Sequence, residues 1–209
     1  MTAVGGLAPR SKYDNNHLVP STKKQETHDR IVRTAAAAIR KHGFAGTSVA
    51  DIMEQAGLTH GGFYAHFDSR DAMLAEALDR GAGEALEGLA RAPDGAAPGA
   101  ALEALVASYL SDRHLAAPEA GCTLAALGSE APRQTAEVRR VATRRAKEMA
   151  DLIARQLPGW GSATGHEDAL AVMSCLVGAM VIARAVDDPA LGKAIRGAAA
   201  KLIRNGVRR

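Results

Sequence analysis

Apolar residues recur at steps of three and four along most of the chain beyond residue 20, which is the spacing of one face of a helix. The first such series includes Ile31 and Ile39. Thr22 and Gln25 have the spacing of a capping box and predict where this helix begins, and Gly43 predicts where it ends. No alternating series indicates a strand. The pattern therefore predicts an all-α chain of about nine helices.

Two short helices are predicted next, with a break at Gly57 between them. The first covers about 48–56 and is opened by Thr47 or Ser48, and the second covers about 59–67. Together they have the pattern of a helix-turn-helix motif. In that motif the second helix enters the major groove of DNA by its N-terminal end.

The stretch LTHGGFYAHFDSR, residues 58–70, places two adjacent glycines inside the second helix of this motif. Each glycine costs roughly 1 kcal/mol relative to alanine in a helix. A residue without Cβ, however, lets the backbone come close to phosphates and base edges. Phe63 and Phe67, one turn apart, would anchor the helix from behind. The alternative is that the glycines mark a loop. The helical interpretation predicts a solvent-facing side made of Thr59, His60, Gly61 and Tyr64.

The fourth helix is predicted to begin at Asp68 or Ser69, and a linker rich in Gly and Pro follows at 92–100. Further helices are predicted at about 100–115, 121–130, 133–157, 167–185 and 189–205. The helix at 167–185 carries apolar residues on every side, which predicts burial on all sides. The last two helices are interpreted as the self-association surface of a four-helix bundle. The alternative is that both are simply core.

Composition narrows the class of protein. Hydrophobic residues make up 47% of the chain and aromatic residues only 3%, which favours helices packed through aliphatic side chains. The net charge of +3 permits nucleic-acid binding without demanding it. The chain has no metalloprotease, CxxC, phosphate-loop or nucleophile motif, so we expect no enzyme activity, no metal site and no cofactor. A purely structural DNA-associated protein stays an alternative.

The expected location is the cytoplasm. Cys122 and Cys175 form neither a metal-ligand pair nor a disulfide framework, which fits a reduced compartment. The longest apolar run, at 170–183, has about 14 residues and is too short to span a bilayer. Residues 1–20 have no long apolar stretch, so they are not expected to be a secretory signal. Their composition predicts a disordered arm, either natural or left over from cloning.

Arg70 is a further indication of DNA binding. It is predicted in the first turn of the fourth helix, where a cation meets the positive end of the helix dipole. A bound phosphate would remove this conflict, and pairing with Asp68 or Asp71 is the alternative. Residues 23–42 also carry six Lys or Arg against two acids, which suggests a surface that faces phosphates. An ordinary solvated helix has the same composition.

Residues 27–74 resemble the DNA-binding domain of the TetR/AcrR family of bacterial transcriptional regulators. The resemblance covers about a quarter of the chain and depends on Gly43-Phe44, Thr47-Ser48, Ile52, Ala56-Gly57, Phe63-Tyr64, His66-Phe67 and Arg70. Two positions depart from the family's pattern. His60 stands where Lys, Arg or a small residue is common, and Arg70 replaces the usual Lys. Both keep hydrogen-bond donors, so the departures concern which bases are read.

The resemblance implies a homodimeric transcriptional regulator, most often a repressor, that binds a palindromic operator and is released by a small-molecule effector. It implies a helix-turn-helix domain at 21–70 and a ligand-binding and dimerisation domain at 71–209. The implied location is the bacterial cytoplasm, on the nucleoid when DNA is bound. The DNA-contacting residues that it implies are Thr47, Ser48, Thr59, His60, Gly61, Gly62, Tyr64, His66 and Arg70.

Cys122 has two interpretations. The segment 118–132 resembles a Gly-Cys stretch found in one branch of the family, and a cysteine at a helix start is favoured as a thiolate, which suits an electrophile or redox sensor. A small buried packing residue is the favoured alternative, because free cysteines are usually buried and inert. Trp160 could also line an effector pocket, although core packing or surface capping is the alternative. The candidate pocket residues are Tyr109, His114, Cys122, Met149 and Met173.

Overall fold

The computed structural model describes residues 22–94, 100–157, 159 and 161–206. These residues form nine α-helices and no strand, which confirms the all-α prediction. The predicted arm at 1–20, residues 95–99 of the predicted linker and Trp160 lie outside the described residues. Short 3₁₀ helices lie at His60–Ala65, Pro118–Ala120 and Ala131–Arg133. The α-helices are α1 (Lys23–His42), α2 (Val49–Gln55), α3 (Arg70–Ala90), α4 (Ala101–Tyr109), α5 (Asp112–Ala116), α6 (Thr123–Leu127), α7 (Ala136–Ala154), α8 (Ala163–Ala185) and α9 (Pro189–Gly206).

The ends of the early helices follow the signals in the sequence. The Thr22 hydroxyl oxygen accepts a hydrogen bond from the Gln25 N–H at 3.2 Å, as the predicted cap requires. Ser69 is the residue that caps α3. Gly43 ends α1 with a φ of +78°, a backbone conformation that favours glycine.

Two of the predicted later helices have different boundaries in the structure. The helix predicted at 100–115 is divided, because the Ser111 hydroxyl accepts from the His114 N–H at 3.2 Å and begins α5 as a separate element. The helix predicted at 121–130 contains only the five residues of α6. Proline-containing 3₁₀ turns flank it on both sides, and proline at a first turn fixes where a helix starts rather than letting it continue.

The buried side chains form two hydrophobic clusters. The first joins α1, α2, the 3₁₀ helix at His60–Ala65 and the first half of α3, and it also takes in Leu127 and Val138 from the second half of the chain. The second joins the end of α3 with α4, α6, α7, α8 and α9. Since α3 contributes to both clusters, a displacement of this helix reaches both parts of the molecule.

The helices α8 and α9 do not bury all of their apolar residues within one chain. The prediction that 167–185 is buried on all sides is wrong for the single chain, because α8 packs on α7 and α9 along one side only.

Among the described residues, α8 is the one helix long and apolar enough to cross a membrane. The large apolar side chains left exposed on α8 and α9 are Leu170, Val181, Ile182, Leu191 and Leu202.

Candidate DNA-binding surface and effector cavity

The helix-turn-helix arrangement is built by α2, the turn at Gly57 and the 3₁₀ helix at His60–Ala65. The second helix is shorter than predicted: a six-residue 3₁₀ helix stands where residues 59–67 were expected to be helical. Two adjacent glycines favour this outcome, since they weaken helix propagation and leave a short element with i→i+3 hydrogen bonds. Thr59 precedes this element, but its side chain makes no capping hydrogen bond.

Phe63 and Phe67 hold this element against the core as predicted. They are 1% and 3% exposed, and their ring centroids lie 5.4 Å apart in a stacked arrangement. Both belong to the same cluster as Ile31, Ile39 and Phe44. The aromatic pair therefore supplies the hydrophobic burial that fixes a short helix with little intrinsic stability of its own.

The opposite side of the element is open to solvent. Thr59, His60, Gly61 and Tyr64 are all exposed, and Tyr64 keeps 73% of its surface. A Cβ on Gly61 would lie in open space, and neither Gly61 nor Gly62 has a positive φ. Nothing inside the protein thus requires glycine at Gly61.

Three of the candidate DNA-contacting residues have roles within the fold. Thr47 is 4% exposed, and its hydroxyl donates to the Gly43 carbonyl at 2.8 Å. Ser48 is exposed but caps α2. His66 is half-buried; burial lowers the pKa of its imidazole, and the nearby His28 and Lys24 lower it further.

Arg70 connects α3 to the turn between α1 and α2. Its Nη2 donates to the carbonyl oxygens of Phe44 and Thr47, the latter at 3.0 Å. It stands at the first position of α3, as predicted. The conflict with the helix dipole is therefore offset by two backbone carbonyls, rather than by the acids Asp68 and Asp71.

Arg40, one of the six basic residues counted on α1, does not face solvent. It is 6% exposed and lies where α1 meets α3 and the segment before α6. Its Nη1 donates to the Gly81 carbonyl at 3.0 Å and to the Gly121 carbonyl at 3.4 Å, and its Nη2 lies 3.5 Å from a Glu84 carboxylate oxygen. Burial lowers the pKa of this guanidinium, and Glu84 opposes that effect. No pattern in the sequence indicates this role.

A second contact joins the two halves at the end of α1. A Glu130 carboxylate oxygen accepts from the Phe44 N–H at 2.9 Å. A Cβ on Gly43 would come within 2.4 Å of the same carboxylate, so glycine is required there for this close approach as well as for its φ. Arg40 and Glu130 together tie the α1–α2 region to the C-terminal half.

A cavity of about 370 Å³ lies between α3, α4, α5, α7 and the segment that leads into α6. Four of the five predicted pocket residues line it: Tyr109, His114, Cys122 and Met149. Met173 does not line this cavity, because its position on α8 directs it to the second hydrophobic cluster, against which it packs. Periodicity placed Met173 on a helix but could not say which neighbour it would meet.

His114 holds the wall of this cavity together. Its Nδ1 lies 2.6 Å from the Tyr109 carbonyl oxygen and its Nε2 lies 3.0 Å from the Cys122 backbone nitrogen. The carbonyl accepts and the backbone N–H donates, so the ring must be neutral with its proton on Nδ1. Burial lowers the pKa of this imidazole and the nearby Arg184 lowers it further, while the bond to the Tyr109 carbonyl raises it.

Comparison with known proteins assigns the first part of the chain. Residues 31–77 match the domain described as "Bacterial regulatory proteins, tetR family". An uncharacterized HTH-type transcriptional regulator of Mycobacterium tuberculosis is 30% identical over 177 residues, which cover 77% of this chain and 85% of that protein. The HTH-type transcriptional regulator TtgR of Pseudomonas putida is 42% identical over 79 residues, 37% of either chain. YerO of Bacillus subtilis, an uncharacterized HTH-type transcriptional regulator, is 37% identical over 54 residues, 26% of this chain and 19% of that protein. The chain thus spans well under half the length of these last two relatives.

Solved structures share the fold over most of the chain. A TetR transcriptional regulator from Chloroflexus aurantiacus superposes with a TM-score of 0.73 at 24% identity, covering 87% of this chain and 96% of that one. The reduced form of Escherichia coli NemR gives 0.72 at 17% identity, covering 86% and 96%. Fold and helix-turn-helix define a DNA-binding transcriptional regulator, and its relatives are not enzymes. The chain belongs to the TetR family of bacterial transcriptional regulators.

Proposed function

We propose that the protein binds a palindromic operator as a homodimer, represses transcription there and is released by a small molecule that enters the cavity. One observation carries the proposal: α3 serves both regions. Its first residue, Arg70, bonds the turn between α1 and α2, which leads into the helix-turn-helix, and near its other end Leu86 and Leu89 line the cavity. A ligand that repositions α3 therefore also repositions the DNA-binding surface.

The proposed mechanism is a shift between two populated arrangements. The cavity is lined by Gly121, whose carbonyl accepts from Arg40 of α1, so the segment before α6 offers a second route to the DNA-binding part. Two recognition elements of a dimer must match major grooves about 34–36 Å apart. A ligand that binds more tightly to the arrangement with the wrong spacing lowers the affinity of the protein for DNA. The ratio of the ligand's affinities for the two arrangements sets the largest possible effect.

The DNA-contacting surface in this proposal is centred on Tyr64. The exposed residues next to Tyr64 in this surface are Thr59, His60 and Gly61. The proposed margin of the surface consists of Gly62, Ser48 and His66. Thr47 is assigned a supporting role, because its hydroxyl is already bonded inside the fold. The two bonds of Arg70 to carbonyls come from one terminal nitrogen, which leaves its other N–H groups for a phosphate.

Selection of bound sequences from a random DNA pool, with and without candidate effectors, tests the function. We expect one palindromic sequence to be enriched and its enrichment to be lost when an effector is present. Enrichment of no sequence above background would contradict a sequence-specific regulator. Enrichment of a single half-site without symmetry would contradict a dimer on the operator.

On the selected operator, Tyr64→Ala and Arg70→Ala are expected to differ in kind. Tyr64→Ala should weaken binding at all salt concentrations and leave the salt slope unchanged. Arg70→Ala should lower the slope of log K against log salt by about one unit. It should also lower the free energy of unfolding by about 1–3 kcal/mol, because the carbonyls of Phe44 and Thr47 lose their donor.

Fluorescence anisotropy at four salt concentrations and urea unfolding give the two readouts. An unchanged salt slope for Arg70→Ala would show that it touches no phosphate. An unchanged unfolding midpoint for the same variant would contradict its bonds to the two carbonyls.

We expect Cys122 to be a packing residue of the core and not a sensor of electrophiles or oxidants. Cys122 is 9% exposed and belongs to the second hydrophobic cluster. In a Cys175→Ser background, labelling of native Cys122 should proceed no faster than the fold opens. Cys122→Ala should cost about 1–2 kcal/mol of stability, since it removes a buried side chain that packs in this cluster. Rapid labelling together with release of DNA would overturn this expectation and favour the sensor interpretation.

A further inference from the structure

The inner end of the cavity contains hydrogen-bond donors that no described residue satisfies. The Tyr109 hydroxyl, on a side chain 4% exposed, has no partner other than the Cys122 thiol, and Nε and Nη1 of Arg184, which lies behind the cavity wall, have none among the described residues. The Cys122 thiol lies beside the Tyr109 hydroxyl, but sulfur is a weak acceptor. Buried donors are nearly always bonded. Three donors at one place therefore indicate an acceptor that arrives from outside the chain.

Arg184 reaches this place from α8. Its Nη2 donates to the His114 carbonyl, so the guanidinium is held against the cavity wall. A Cβ on Gly121, which lines the cavity, would come within 3.1 Å of that nitrogen. Because Gly121 has no side chain, the guanidinium lies closer to the cavity than it could with a larger residue at this position. Burial lowers the pKa of the Arg184 guanidinium, and the nearby Glu119 opposes that effect.

The charged side chains around the cavity leave an excess of positive charge. Glu84 is the one acid among its described lining residues, and it pairs with Arg80 at 2.6 Å. Glu119 lies near Arg184 and is its nearest acid. Arg91 and Arg113 also line the cavity and make no ion pair with any described residue.

The Tyr109 phenol stays neutral and remains a donor. Burial raises its pKa well above the ordinary value, the neighbouring Cys122 raises it further, and Arg184 opposes them. Both ring nitrogens of His114 are already bonded within the wall. The groups nearest to an incoming molecule at this end are therefore the Tyr109 hydroxyl, which lines the cavity, and the Arg184 guanidinium directly behind Gly121. A donor and a cation in this arrangement stabilise an anion.

The remainder of the cavity wall is aliphatic. Leu86 and Leu89 from α3, Leu124 from α6 and Met149 from α7 contribute to it. A cavity of about 370 Å³ with this lining fits a small molecule that is mostly apolar and has one polar end. The polar end would meet Tyr109 while the apolar body lies along α3.

We propose that the effector is a small organic acid whose carboxylate binds the Tyr109 hydroxyl and the Arg184 guanidinium, with its hydrocarbon body against Leu86, Leu89 and Met149. This inference rests on the proposed function, in which an effector occupies this cavity. It adds the chemical class of the effector and the two residues that select it. Occupancy also places the hydrocarbon directly on the half of α3 that faces away from the DNA-binding surface.

The test uses the full chain and three matched sets of compounds. Octanoate, decanoate and 4-phenylbutanoate are each compared with the primary amide and the primary amine of the same carbon skeleton. Isothermal titration calorimetry gives the dissociation constants, and anisotropy of labelled operator DNA gives the release. We expect one or more of the carboxylates to bind at least about tenfold more tightly than the matching amide and to release DNA. Charge-assisted hydrogen bonds, which an amide cannot form, would give a difference of this size.

Variants assign this preference to the two residues. Tyr109→Phe keeps the ring and should reduce the preference for carboxylate over amide about tenfold, while the affinity for the amide stays the same. Arg184→Gln keeps a donor for the His114 carbonyl and should abolish the preference. Arg139→Gln, at an exposed position of α7, removes a similar charge and should change nothing. Thermal melting of each variant confirms that it is folded.

The outcomes separate the two proposals. If an amide or an amine binds more tightly than every carboxylate and releases DNA, the acid is wrong and the effector-responsive regulator stands. A carboxylate preference that survives in both Tyr109→Phe and Arg184→Gln overturns the assignment of the site. If no compound of any set binds, the organic-acid proposal fails, while operator binding and release by an effector are decided separately by the selection of bound DNA.

Discussion

Leu202→Glu is expected to dissociate the proposed dimer into monomers. Leu202 on α9 keeps 65% of its surface exposed, and Ile182 on α8 keeps 51%. A soluble protein seldom exposes a contiguous apolar patch of this kind unless another surface covers it. In a two-fold dimer the same substitution enters the interface twice. Two buried, unpaired carboxylates would raise the dimer dissociation constant by at least about 100-fold, or roughly 3 kcal/mol.

Sedimentation velocity between about 1 and 50 micromolar measures this change. Arg139→Glu, which adds a carboxylate at an exposed position of α7, is the control and should leave the assembly unchanged. Val177 is a less suitable position, because it packs partly against the second hydrophobic cluster and a charge there would also damage the fold. A wild-type protein that sediments as a monomer in this range would show that α8 and α9 do not form a dimer surface.

Phe63→Ala is expected to lower the free energy of unfolding by about 3–5 kcal/mol, which is the usual cost of removing a buried aromatic ring. Phe63 is 1% exposed and stacks on Phe67, and the 3₁₀ helix around it is too short to be stable by itself. The stability lost is a large share of what a natural domain has. Binding to the operator should therefore fail at temperatures where the wild-type protein still binds.

The adjacent Tyr64→Ala is the matched control in urea unfolding monitored by circular dichroism. Tyr64 is 73% exposed and touches Phe63 only through an edge contact, so its removal should cost about 0.5–1 kcal/mol. Tyr64→Ala should thus separate DNA binding from stability, whereas Phe63→Ala should affect both. Equal unfolding midpoints for the two variants would contradict the anchoring role of Phe63.

Features that depend on neighbours in sequence could be predicted from the sequence. Thr22 caps α1 because its hydroxyl reaches a backbone N–H three residues on, and Gly43 ends that helix because of its own φ. The spacing of Phe63 and Phe67 likewise fixes which side of a helical element they share. These determinants are local, so the residues that provide them are readable without knowing the tertiary structure.

Features that depend on distant partners could not be predicted. Arg40 looks like any basic residue of a solvated helix, and its partners Gly81 and Gly121 are 41 and 81 residues away. The sequence offers Arg70 a phosphate or the neighbouring acids as partners, whereas carbonyls 23 and 26 residues earlier accept from it in the structure. Met173 missed the cavity for the same reason: helical periodicity gives the direction of a side chain but not the element that it meets.

The bond between Glu130 and the Phe44 N–H has a consequence for inheritance. Recombination could assemble a regulator with its first two helices from one ancestor and the remainder from another. The end of α1 and the residue at position 130 would then come from different proteins and would not have been selected together. Gly43 would then lack the carboxylate for which it makes room, and a side chain in place of Gly81 would come within 3.1 Å of the Arg40 guanidinium and disturb its bonds to the carbonyls. Hybrids that exchange Arg40, Gly43, Gly81 and Glu130 as one set should keep their response to effector, and those that split the set should be released from DNA less readily.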